Sequence, residues 1–104
     1  DRSAEIVHSH IIDIVNQIHQ GSPDTEIYVQ SVLPTNTDSI KVKIQNTNQM
    51  LNDSEAKNPY QFIDIHDRFA TNEDAMDMTL SVDAVHLNEN GYEFWVNAIK
   101  DLVQ

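Results

Sequence analysis

The chain has 104 residues, of which 39% are apolar: enough for one small domain with a core, which excludes a disordered tail. With 6 basic against 17 acidic side chains, the net charge of −11 repels phosphate backbones and anionic lipid, so neither nucleic acid nor a membrane surface is an expected partner. There is no cysteine, which excludes disulfides, thiolate metal sites and thiol catalysis; two isolated glycines, Gly21 and Gly91, exclude a Gly-rich phosphate loop.

After Asp1-Arg2-Ser3, which carries no signal-peptide pattern, apolar residues recur at helical spacing from Ala4 to Gln20. Ala4, Val7, Ile11, Ile14 or Val15, and Ile18 form the stripe, with Ser3 as the expected N-cap and Gly21 and Pro23 as stop signals. Glu26 to Leu33 is β-branched and aromatic between turn formers, and reads as a strand covered on both faces. A second helix is expected from Asp38 to Asp53, capped by Asp38 or Ser39, with Ile40, Ile44, Thr47 and Leu51 on one side. Asn52 to Pro59 reads as a polar loop and Gln61 to Ile65 as a second buried strand. His66 to Val82 is an acidic connection with short helical potential around Glu73 to Met78. Asn88 to Val103 closes the chain as a helix, with Tyr92, Trp95, Val96, Ile99 and Val103 on its buried side. Strands alternating with helices imply a parallel sheet, and parallel sheets are buried on both faces. Two strands make a poor one, so one edge of the pair needs a neighbour; the chain reads as the second half of a larger α/β domain.

The sharpest chemical signal is Asp83-Ala84-Val85-His86, followed by Leu87-Asn88-Glu89-Asn90-Gly91-Tyr92. A carboxylate three residues before a histidine can accept a hydrogen bond from imidazole Nδ1–H, fix the tautomer and leave Nε2 as a general base. That is two-thirds of a Ser-His-Asp arrangement. The plainer alternative is a polar loop that only caps the last helix, with Asn88 as N-cap. His8 and His10 stand about 200° apart around a helix and share no metal. Asp64, His66 and Asp67, at the end of a strand, are a rival site for a metal-assisted hydrolase. The seven serines sit in no nucleophile motif; Ser31 lies in a strand and Ser81 just before Asp83.

The segment Val82-Asp83-Ala84-Val85-His86-Leu87-Asn88-Glu89-Asn90-Gly91-Tyr92 resembles the last block of the SGNH hydrolases, the GDSL esterase and lipase family. There a D-x-x-H-L-N-x-x-G-Y stretch supplies the catalytic Asp and His. Ile27 to Pro34 resembles the family's penultimate core strand, and Tyr60 to Ile65 its final strand. The Gly-Asp-Ser block that bears the nucleophile and the blocks that complete the oxyanion hole are absent from these residues.

The resemblance implies that residues 1–104 are the C-terminal half of one flavodoxin-like, three-layer α/β/α domain with parallel strands. It implies a parent serine hydrolase that cleaves carboxylic esters, with acetyl esters of carbohydrates as one class of substrate. Asp83 and His86 would be catalytic, with no cofactor and no metal. The chain alone would be inactive, and its partner would be the missing N-terminal half or a second copy that completes the sheet. A non-catalytic α/β interaction or ligand-binding module is the alternative.

Overall fold

The computed structural model describes residues 2–103; Asp1 and Gln104 lie outside the described residues. Helix α1 (Arg2–Gly21) leads to strand β1 (Tyr28–Gln30), helix α2 (Asp38–Ser54) and strand β2 (Gln61–Ile63). A single-turn helix α3 (His66–Phe69) and the last helix α4 (Glu89–Val103) follow. The two strands pair in parallel, Tyr28 opposite Gln61, Val29 opposite Phe62 and Gln30 opposite Ile63. The expected α/β order and parallel pair are therefore present.

Both strands are shorter than expected, for a reason that lies in side chains. Ser31 still donates its N–H to Ile63, but its buried Oγ then accepts the N–H groups of Ile65 and His66, at 3.0 and 2.9 Å. The next residue, Val32, exchanges both backbone groups with the Asn48 side chain on α2, at 2.7 and 3.1 Å. Beyond Ser31 the backbone is satisfied by side chains instead of by a neighbouring strand, so the ladder ends there.

The core is split by the sheet. On one side Ile63, Ile65, Phe69, Met76 and Ala98 are buried, with Leu33, Leu87, Trp95 and Ile99 packed around them. Phe69 meets Phe94 edge to face at 5.1 Å between ring centres. On the other side Ile44, Thr47 and Leu51 of α2 are buried as their spacing predicts, and the Tyr60 hydroxyl donates to the Leu51 carbonyl. His8 hydrogen-bonds Ser54 at 2.8 Å and ties α1 to the end of α2.

Several expected burials do not occur. Of the α1 stripe only Ala4 and Val15 are buried, whereas Val7, Ile14 and Ile18 are exposed. On α4 the buried residues are Gly91 and Ala98, while Tyr92 and Val96 face outward. Helix α1 begins before Ser3, and α2 begins at Asp38 after Thr37, without a side-chain cap. The Asn52–Pro59 loop is partly helical: α2 continues to Ser54 and a 3₁₀ turn covers Glu55–Lys57. Helical potential at Glu73 to Met78 is not realised, because Asp74 sits at φ 57° in the left-handed region. The segment instead doubles back, with Ala70 bridged to Met76.

The sheet's two edges differ. At β2 the outward N–H of Phe62 is taken by the Glu55 carboxylate at 2.6 Å. On β1, Ile27 and Ser31 bond towards β2, and alternation turns the backbone groups of Tyr28 and Gln30 to the other edge. The molecule is a slab, 39 × 32 × 18 Å, with a radius of gyration of 14.4 Å. A compact chain of this size has about 13 Å.

Gly91 is fixed by close approach. A Cβ there would stand 2.0 Å from the Leu80 carbonyl oxygen and 3.0 Å from the Leu87 Cβ. Gly91→Ala is expected to lower stability by about 1–3 kcal/mol, the usual cost of overpacking against a fixed neighbour, read as a fall in melting temperature.

Candidate functional site

The segment from Leu80 to Asn88 is a closed loop whose mouth is the start of α4. Asn88 holds the mouth with three hydrogen bonds. Its Oδ1 accepts the Gly91 N–H at 2.8 Å and caps α4; its Nδ2 donates to the Thr79 carbonyl at 3.0 Å; its backbone N–H donates to Leu80 at 3.0 Å. Ser81 and Leu87 bridge across the loop, and Val82 N–H donates to the His86 carbonyl at 3.0 Å. The Leu87 side chain anchors the loop in the core.

Inside that frame Asp83 and His86 meet. The Nδ1–H of His86 donates to Asp83 Oδ2 at 2.9 Å. The other carboxylate oxygen accepts the backbone N–H groups of Val85 and His86, at 2.9 and 2.7 Å. Three donors on one carboxylate hold Asp83 at a pKa of about 2, His86 being the largest cause, so it is ionised at neutral pH. With Nδ1 protonated, the Nε2 lone pair of His86 faces solvent and has no partner among the described residues; the side chain is 74% exposed. Ala84, between the two, sits at φ 70°, a conformation that strains an L-residue and turns the chain so that one carboxylate reaches both Nδ1 and two backbone amides. Nothing in the sequence pattern signalled that strain.

Asp83 does not cap α4, since its bonds stay within its own loop and Asn88 performs the capping. Ser81 and Ser31 are engaged structurally. The Ser81 hydroxyl donates to the His86 carbonyl at 2.7 Å and accepts Ala84 N–H at 2.8 Å, while Ser31 is fully buried. Neither hydroxyl hydrogen-bonds the His86 ring.

A second polar group lies elsewhere. His66, buried at the head of α3, donates from Nδ1 to the Val32 carbonyl at 2.8 Å and from Nε2 to Asp74 Oδ1 at 2.6 Å. Asp74 also accepts from Gln45 of α2 at 2.7 Å. Burial opposes protonation of His66, but hydrogen bonds to Asp74 and Val32 and the charges of Asp74 and Asp67 outweigh it, so its pKa is raised above 6.5. Both ring nitrogens thus point at protein acceptors. A metal ligated by Asp64, His66 and Asp67 would have to displace one of them, and no group of three ligands suited to a metal converges among the described residues. An open cavity of about 370 Å³ lies beside this imidazole, and Asp83 and His86 do not line it.

No known family model and no curated protein matches the sequence. Solved structures do match the fold. The chain superposes with a TM-score of 0.84 and 22% identity on a candidate platelet activating factor protein of Streptococcus pneumoniae, covering 97% of itself and 52% of that chain. It superposes with a TM-score of 0.80 and 21% identity on a candidate acylhydrolase of Bacteroides fragilis, covering 94% of itself and 50% of that chain. The chain therefore shares the α/β fold of these two structures and spans about half their length.

The His66 bonds carry a pH signature. A raised folded-state pKa gives stability that is complete below the unfolded value near 6.5 and is lost as pH rises through the folded value. Neutral His66 gives up one of its two donors, at a cost on the order of 1 kcal/mol. Melting temperature is expected to fall on moving from pH 6 to pH 9, and to fall less in Asp74→Asn, which removes the charge that favours the imidazolium.

Proposed function

We propose that this chain supplies the general base and its orienting carboxylate to a serine hydrolase that cleaves carboxylic esters. The observation that carries the reading is the 2.9 Å bond from His86 Nδ1 to Asp83, with Nε2 left as an outward acceptor. In this arrangement Nε2 takes the proton of a serine hydroxyl as that oxygen attacks the ester carbonyl. His86 later returns the proton to the leaving alcohol, and Asp83 stabilises the imidazolium between the two steps. Acyl esters, acetylated carbohydrates among them, are the proposed substrates. The hydrolase-like fold supports the reading.

The nucleophile and oxyanion hole would come from a partner segment. Residues 1–104 would then be part of one domain whose sheet continues beyond β1. Two features support that: the open β1 edge, and the exposed Ile14 and Ile18 of α1, with Tyr92 and Val96 of α4. The N-terminal half of the domain or a second copy would cover them. Sedimentation of the chain alone is expected to show association at micromolar concentration, and a cooperative monomer at high dilution would contradict it. Aryl acetate hydrolysis by the isolated chain should stay near that of free imidazole.

In the assembled hydrolase His86→Ala is expected to lower kcat by several orders of magnitude with melting temperature unchanged. Asp83→Asn is expected to be similarly damaging through the imidazole tautomer. Asn88→Ala should instead cost about 0.5–2 kcal/mol of stability. Full activity in His86→Ala would end the assignment and favour the non-catalytic module.

A further inference from the structure

We propose that the groove beside α2 and the end of β2 binds a neutral saccharide or polyol. The cavity, about 370 Å³, falls within the size range of small-molecule sites and is separate from the Asp83–His86 loop. Its α2 wall is built from side-chain amides: Gln45, Asn48, Gln49 and Asn52 follow one another at steps of three, one and three residues. That spacing sets them on one face of the helix, beside the apolar face of Ile44, Thr47 and Leu51. The opposite wall carries the half-buried Phe62 ring and the carboxylates of Asp64 and Asp67.

Part of this lining is already engaged and therefore rigid. Asn48 is bound to Val32, and Gln45 to Asp74, which holds the buried His66. Gln49 uses one N–H on Asp53 at 2.8 Å and keeps its carbonyl oxygen. Asn52, Asp64 and Asp67 have no side-chain hydrogen bond or ion pair among the described residues. What remains is an amide that donates and accepts, a second amide oxygen and two carboxylates, next to an aromatic face. Hydroxyl groups both donate and accept, and a ring of C–H bonds packs on an aromatic ring, so vicinal hydroxyls on a small ring complete this set. The carboxylates disfavour an anion, and no three ligands suited to a metal ion converge among the described residues. The proposal does not depend on His86 being catalytic.

The test is an isotope-edited NMR titration of the full chain with neutral monosaccharides: glucose, galactose, mannose and N-acetylglucosamine. At least one is expected to give saturable shifts at the Gln49 and Asn52 side-chain amides and at the Phe62 backbone amide. Asn52→Ala and Asp64→Asn, both at exposed positions, should each weaken binding about tenfold. Glu93→Gln, an exposed carboxylate on α4, should leave it unchanged, as should His86→Ala. No saturation with any of the four sugars would overturn the proposal. So would equal weakening by Glu93→Gln, or tighter saturation by ethanolamine, which would mark a cation site instead.

Discussion

The constraint on which the rest depends is the end of the sheet at Ser31. One buried hydroxyl accepts the two amides of Ile65 and His66, and Asn48 takes both backbone groups of Val32. A parallel pair that stops there leaves its strand ends open to loops, which is where α/β proteins place their chemistry. From that junction one branch enters α3 and the His66–Asp74 pair, while the chain beyond Met76 returns to the loop before α4. Loss of the Ser31 hydroxyl would leave two buried amides without acceptors, a larger penalty than most surface changes carry.

The two histidines with carboxylate partners show how similar bonds serve different ends. His66 is buried, both nitrogens donate, and its ring is a cross-link between three segments. His86 is exposed, one nitrogen donates, and the other is an available base. The difference lies in what surrounds each ring, since carboxylate proximity alone describes both. Asp83 reinforces its role by accepting two amides besides the imidazole, which favours its charged form more strongly than one hydrogen bond would.

The same loop explains the grammar of the motif. Asp83 orients His86, Leu87 anchors the segment in the core, Asn88 caps α4 and closes the loop, and Gly91 permits the helix to approach Leu80. Each position answers a separate physical requirement, and the requirements are local to a dozen residues. That is why the geometry of this stretch was legible in the sequence: the bonds that fix it lie within one short span. Two expectations failed in part for the opposite reason: Val7, Ile14 and Ile18 of α1 and Tyr92 and Val96 of α4 are exposed, while Trp95, Ile99 and Val103 pack against the core as expected. The α1 stripe and the α4 face were read from spacing alone, and spacing reports that a face is apolar without reporting what covers it.

The sequence by itself determined the order of the main helices and strands, the parallel pairing and the Asp83–His86 pair. Periodicity, turn chemistry and short-range hydrogen bonding suffice for those. Only the tertiary structure decided where the strands end, because that rests on Ser31 and Asn48 reaching residues 34 and 16 positions away. It also decided that His66 is a doubly bonded cross-link, and that Asp74 breaks the expected helix. It gathered the α2 amides, Phe62 and the two carboxylates into one groove. Side chains distant in sequence met there, and no local pattern encodes such meetings.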